Sequence, residues 1–126
     1  MSQNPHKFPF SIAYADTDAG GIVYHARYIE IAERARMNMF SDVRDAEGGF
    51  VIRDLAVKYL KPLRLADKIT VETRFVGHTA ISMKIEQKFI RDGAEHAVMT
   101  GTVVYVNRDI KPTRIPDAWL NHGVKK

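Results

Sequence analysis

The sequence predicts an α+β domain, in which a five-stranded antiparallel sheet packs against one long helix. Three observations predict it. Apolar residues recur at helical spacing between Ile22 and Phe40. From Phe50 onward they alternate with polar residues at a period of two. The turns between those alternating stretches are short, which makes neighbouring strands antiparallel, and one helix on one face of such a sheet is a two-layer α+β arrangement. The 126 residues carry no linker, internal repeat or low-complexity stretch, so residues 1–126 read as a single domain.

Phe8 to Tyr14 is a short aromatic, β-rich run that reads as the first strand, and it ends in a small, acidic turn cluster, Ala15 to Gly21. From Ile22 the period becomes helical, with Ile22, Ile29, Ala32, Ala35 or Arg36 and Met39 on one face. Glu30 and Arg34 stand four apart in the favourable order on the other face. The helix is expected to stop near Phe40, with Ser41-Asp42 capping a short second helical turn that ends at Gly48-Gly49. Phe50 to Tyr59 is the second strand. In the third, Ile69, Val71, Thr73 and Phe75 face one way and Lys68, Thr70, Glu72 and Arg74 the other. Gly77-His78 reads as a turn. Ile81, Met83, Ile85, Gln87 and Phe89 mark the fourth strand, and Asp92-Gly93 is a tight-hairpin dipeptide. Ala97 to Val106 is the last strand. It is apolar on both sides, so a second subunit is expected to cover its other face or edge. The tail from Arg108 holds Pro112 and Pro116 and reads as irregular, with Trp119 as its anchor.

Composition removes several chemistries. There is no cysteine, hence no disulfide, thiolate metal site or cysteine nucleophile. Ser2, Ser11, Ser41 and Ser82 all lie outside any G-x-S-x-G elbow. Acyl transfer on this chain therefore falls to a carboxylate or an activated water. The net charge of +4 suits an anionic ligand. The basic residues are scattered and aromatics do not interleave with them, which argues against nucleic acid. No apolar run approaches the ~20 residues of a membrane span, and the first residues lack a secretory layout, so a cytoplasmic protein is expected. No histidine pair has helical metal-ligand spacing, and no metal is expected.

The chemistry-bearing segment runs from Tyr14 to Tyr28, YADTDAGGIVYHARY, between the first strand and the helix. It gathers Asp16, Asp18, His25, Tyr14, Tyr24 and Tyr28 around Gly20 and Gly21. Glycines allow positive φ or close approach of a ligand to the backbone. The start of a helix offers free N–H groups at a positive dipole end. Such N–H groups can stabilise an oxyanion, and a carboxylate beside them can attack or activate water. The same residues admit a purely structural reading. Either aspartate could cap the helix, His25 could be an ordinary surface or packed histidine, the tyrosines could be core, and the glycines plain turn residues.

This run, with E-R-A-R at Glu33 to Arg36 and K-Y-L-K-P-L-R-L-A-D at Lys58 to Asp67, resembles the hotdog-fold acyl-CoA thioesterases of the 4-hydroxybenzoyl-CoA thioesterase type. The likeness is strongest to the bacterial YbgC-like branch associated with the Tol–Pal envelope system, and it weakens after about Asn107. The resemblance implies a hotdog fold, with the sheet wrapped around the helix. It implies acyl-CoA hydrolysis, with Asp18 as nucleophile or general base, Asp16 in support, and the backbone N–H of His25 polarising the thioester carbonyl. It places the side chains of Tyr14 and His25 in the site. Gly20, Gly21, Tyr24 and His78 complete the substrate-binding expectation. His25 departs from the residue found in 4-hydroxybenzoyl-specific enzymes, which points away from that acyl group. Coenzyme A enters as part of the substrate, so no cofactor is implied, and an acyl carrier protein is the alternative donor. His78, Lys84, Lys88, Arg91 and Arg108 are candidates to meet its phosphates, or else plain solvated groups. The family pattern also implies active sites at a dimer interface and a dimer of dimers. Three other readings compete with it: a hotdog dehydratase, suggested faintly by His6 to Phe10; a non-catalytic acyl-CoA or carrier-protein binding module; and a nucleic-acid binder.

Overall fold

The computed structural model describes residues 4–43, 45 and 47–124. Strands β1 (His6–Ser11), β2 (Gly48–Tyr59), β3 (Lys68–His78), β4 (Ser82–Arg91) and β5 (Ala94–Asn107) accompany helices α1 (Arg27–Met39) and α2 (Asp117–Val124). The five strands form one antiparallel sheet in the order β1-β3-β4-β5-β2, which leaves β1 and β2 at the edges.

The alternation read from the sequence is the sheet's inner face. Ile69, Val71, Thr73 and Phe75 of β3 and Met83, Ile85, Gln87 and Phe89 of β4 are all buried. Helix α1 lies on this face through Tyr28, Ile31, Ala32, Ala35 and Met39. Ala32 and Ala35 are fully enclosed; their small side chains let the helix backbone come close to the strands. Gln87 is the polar member of the row and is fully satisfied. Its amide nitrogen donates to the Ala32 carbonyl at 2.9 Å and the Thr73 hydroxyl at 3.0 Å, and its oxygen accepts from Arg36 at 2.8 Å. A buried amide without those partners would cost about 1–3 kcal/mol.

Several expectations change. Gly77 and His78 close β3, paired with Lys84 and Met83, rather than forming a turn. The helix is short, 13 residues from Arg27, rather than long from Ile22. Ile22 has the right spacing, but it and Val23 pair as β-bridges with Arg64 and Thr17, and Gly21 before them has φ +82°, outside helical space. Gly48 and Gly49 open β2 rather than ending a helical turn. Glu30 pairs with Arg27, not Arg34. The tail is not wholly irregular, since Asp117–Val124 is helical. Trp119 does anchor it, stacking edge-on against Phe40 and Phe50 and donating to Asp45 at 2.8 Å. The Asp92-Gly93 hairpin forms, both residues having positive φ.

The apolar end of β5, Thr102 to Val106, is already buried within one protomer. The tail runs beside it: Thr113 N–H donates to the Tyr105 carbonyl at 3.0 Å, and Pro112 bridges Val106. On the β2 edge, by contrast, Val51 and Ile52 are 41% and 43% exposed.

Candidate active site

The segment between β1 and α1 folds back on itself. Asp18 N–H donates to the Ile22 carbonyl at 2.9 Å, Gly21 N–H to the Asp18 carbonyl at 3.0 Å, and Thr17 bridges Val23. Val23 N–H reaches the Leu63 carbonyl at 2.8 Å and Leu65 N–H the Gly21 carbonyl at 3.2 Å, which pins this small hairpin to the segment before β3. Its tip needs Gly21, because φ +82° is strained for any residue with a Cβ.

The two aspartates have separate roles, and neither caps α1, whose N-cap residue Ala26 carries no side-chain cap bond. Asp16 is buried, 7% exposed. One oxygen accepts Ala13 N–H at 2.8 Å and the other meets Arg27 Nε at 3.0 Å, while its backbone carbonyl accepts Tyr24 N–H at 3.0 Å. Asp18 is exposed. Its Oδ1 accepts Gly20 N–H at 2.8 Å, and its Oδ2 has no partner among the described residues. A Cβ on Gly20 would lie 3.3 Å from that Oδ1, so the missing side chain keeps room beside the carboxylate. Asp18 opens into a cavity of about 390 Å³ shared with Ala15, Thr17, Tyr24, Arg27 and Glu30.

His25 lines a second cavity of about 300 Å³, with Tyr28, Tyr59 and Lys61 among its walls. Its ring packs on Tyr24 with centroids 4.6 Å apart, and its carbonyl accepts the Tyr59 hydroxyl at 2.8 Å. The backbone N–H groups of His25 and Ala26 have no acceptor among the described residues. Ala26 also lines the cavity into which Asp18 opens, so one free donor at the start of α1 and a carboxylate with a free oxygen border the same space. Tyr28 is core: it is buried, and burial raises its phenol above the usual tyrosine range.

Tyr14 is 81% exposed; its carbonyl accepts both the N–H and the hydroxyl of Thr17. His78 is not brought to this cluster within one protomer. It ends β3, opposite Met83, about 33 Å along the strand from Lys68, and its ring lies 3.1 Å from the Thr79 carbonyl. Lys88 pairs with Glu95, and Arg91 with Asp67 and Asp92. Among the described residues no three His, Cys, Asp or Glu side chains form a metal-binding group, and no helix is long and apolar enough to cross a membrane. The cavity between Arg36, Phe40, Phe50 and Trp119 also measures about 300 Å³. It lies at the other end of α1, away from Asp18.

Residues 12–122 match the family described as the thioesterase-like superfamily. The chain belongs to that superfamily. It is 32% identical over 125 residues to the acyl-CoA thioesterase YbgC of Haemophilus influenzae (strain ATCC 51907 / DSM 11121 / KW20 / Rd), covering 92% of each chain. It is 31% identical over 113 residues to the acyl-CoA thioester hydrolase YbgC of Escherichia coli O6:H1, covering 84% of this chain and 83% of the relative. Among solved structures, a Thermus thermophilus thioesterase complexed with coenzyme A and Zn superposes with a TM-score of 0.84 at 27% identity, over 95% of this chain and 98% of that one. The sheet and helix have the hotdog arrangement of these superfamily neighbours, with the short α1 described above.

Sequence reasoning missed Arg27 and Tyr59. A cation in the first turn of a helix opposes the dipole by about 0.3–1 kcal/mol, so Arg27 was a local inconsistency open to notice. Its compensation is now visible: the Glu30 carboxylate first, then Asp16, raise the guanidinium pKa above its usual value. Tyr59 carried no comparable signal, because its contact with His25 spans 34 residues.

Proposed function

We propose that this protein hydrolyses the thioester of an acyl-coenzyme A to the free acid and coenzyme A. The observation that carries the reading is the exposed Asp18 carboxylate, with Oδ2 unpartnered among the described residues, in a cavity that Ala26 with its unpaired N–H also lines. It gains weight from the 31–32% identity to YbgC acyl-CoA thioesterases.

Asp18 acts on the thioester carbon directly or takes a proton from a water that does. The carbonyl oxygen gains charge as the tetrahedral intermediate forms, and the His25 N–H at the start of α1 stabilises it; one such donor is worth about 10²–10³ in rate. Collapse expels the coenzyme A thiolate, a good leaving group: on the water route it yields the free acid and the thiolate takes up the proton held by Asp18, and on direct attack it leaves a mixed anhydride on Asp18 that water then opens to the free acid and the regenerated carboxylate. Asp16 holds the loop. Gly20, Gly21 and Tyr24 shape the approach, and the side chains of Tyr14 and His25 border it. Coenzyme A is substrate, not cofactor. Both cavities are open on one protomer and β2 is an unpaired edge, which fits sites completed in a homodimer, with two dimers forming a tetramer.

Hydrolysis of a panel of aliphatic and aromatic acyl-CoA thioesters, read as released thiol, tests this. The protein has no cysteine to add background. Turnover lost in a folded Asp18→Ala variant is expected. Tight binding of the same thioesters without any turnover would instead make the protein a binding module. Turnover confined to acyl carrier protein thioesters would replace the donor.

A further inference from the structure

We infer that Arg27 is a positioning residue for the reaction, holding the loop that carries Asp18 in register with the N–H groups at the start of α1. This rests on the thioesterase reading above.

Asp18 is exposed and keeps one side-chain hydrogen bond, to the Gly20 N–H within its own turn. Its place relative to α1 is therefore set by the backbone on either side of it. Arg27, the first residue of α1, reaches back across that loop. Nε meets Asp16 Oδ1 at 3.0 Å, Nη2 donates to the Ala15 carbonyl at 2.7 Å, and Nη1 donates to Glu30. One guanidinium thus ties a backbone carbonyl three residues before Asp18, and a carboxylate two residues before it, to the first turn of the helix. The planar fork can hold these acceptors at once; an ammonium cannot reproduce the geometry.

Asp16 extends the clamp. It grips Ala13 through Oδ2 and Tyr24 through its carbonyl, and Tyr24 adjoins the His25 N–H. The carboxylate that reacts and the donor that stabilises the oxyanion are on opposite sides of one knot, with Arg27 closing it. All three kinds of guanidinium nitrogen are engaged with protein acceptors. Arg27 is therefore spent on geometry rather than aimed at substrate, although it lines the Asp18 cavity.

Arg27→Lys and Arg27→Ala test this in the full chain, with circular dichroism and melting temperature as fold controls. Loss of register changes kcat more than KM, since displacement of about 1 Å can cost up to ~10²-fold in rate. We expect kcat to fall at least about tenfold in both variants with KM within about threefold, and methylguanidinium at millimolar concentration to restore part of kcat to the alanine variant. A purely structural role would not give that rescue. Should Arg27→Ala fail to fold, Arg27→Lys decides by the kcat and KM split. A folded Arg27→Ala with kcat within about twofold of wild type overturns the inference, as does a loss in KM alone. Asp18→Ala in parallel separates the two ideas: activity surviving there fails the Asp18 reading itself, whatever Arg27 does.

Discussion

Adjacent glycines in the Asp18 turn should respond oppositely to the same methyl group. At Gly21 a Cβ meets nothing within 4 Å, so packing gives no penalty, but φ is +82°. Gly21→Ala therefore carries the left-handed backbone cost alone, about 1–2 kcal/mol. With about 2.1 cal/mol/K of unfolding entropy per residue, 126 residues translate that into a fall in melting temperature of roughly 4–8 °C. Gly20 has no such φ, but its Cβ would sit 3.3 Å from Asp18 Oδ1. The exposed carboxylate yields by a few tenths of an ångström, so stability is held or rises by up to about 1 kcal/mol as the unfolded chain loses freedom. Displacement of a reacting group is costly in rate, and kcat for Gly20→Ala should fall several-fold. Calorimetry and thiol release on the two variants read both quantities. A Gly21→Ala protein that melts no lower than wild type would refute the strain reasoning. A Gly20→Ala protein with unchanged kcat would show that the position of the Asp18 carboxylate does not limit turnover.

Tyr59→Phe removes the hydroxyl that holds the His25 carbonyl at 2.8 Å. Tyr59 is half exposed, so water replaces much of the bond; stability should change by less than about 1 kcal/mol while kcat falls several-fold, checked by melting and steady-state rates. The docking of α2 should depend on pH at both extremes. Tyr105 O–H, Trp119 Nε1 and the Glu47 and Gly48 N–H groups lower the Asp45 pKa. A depressed carboxylate contributes stability above its unfolded pKa and loses it as pH falls through the folded value, so Trp119 fluorescence should report loosening of α2 in that acid range, and Asp45→Asn should remove the step. Burial, then Asp45, pushes the Tyr105 phenol up to about 12. A raised phenol contributes fully below the unfolded value of about 10 and loses that contribution as pH climbs from there toward the folded one. Trp119 is the sole tryptophan, which makes both readings specific to α2.

The sheet was legible because its faces differ in polarity. Ile69 to Phe75 and Met83 to Phe89 alternate, and that alternation is the burial pattern. The helix start was not legible, since a period of 3.6 accepts Ile22 as readily as Ile29, and only the positive φ of Gly21 and the bridge to Arg64 exclude it. The tail helix was hidden by Pro112 and Pro116, although Pro116 precedes the first turn of α2 and its carbonyl accepts from Trp119 and Leu120. In the site, Asp16, Asp18, His25 and the two glycines were found together because they are neighbours in sequence. The division between a buried, clamped Asp16 and an open Asp18 was not visible, because both lie in the same short motif and differ only in tertiary partners. Tyr59 was missed, and His78 stands apart from the Asp18 cluster within one protomer. A contact between a strand end and a loop 34 residues away has no local signature, and a histidine at a strand end can finish at either end of the molecule.

The most direct measurement is kcat/KM of Asp18→Asn against wild type on an acyl-CoA that wild type hydrolyses. The amide oxygen can still accept the Gly20 N–H that Asp18 Oδ1 accepts now, so the turn and the fold are retained while the anionic oxygen is lost. A fall of about 10³-fold or more, with an unchanged melting temperature, is predicted for loss of the reacting carboxylate. A folded variant within about tenfold of wild type would contradict it, and would move the chemistry to another group on this scaffold.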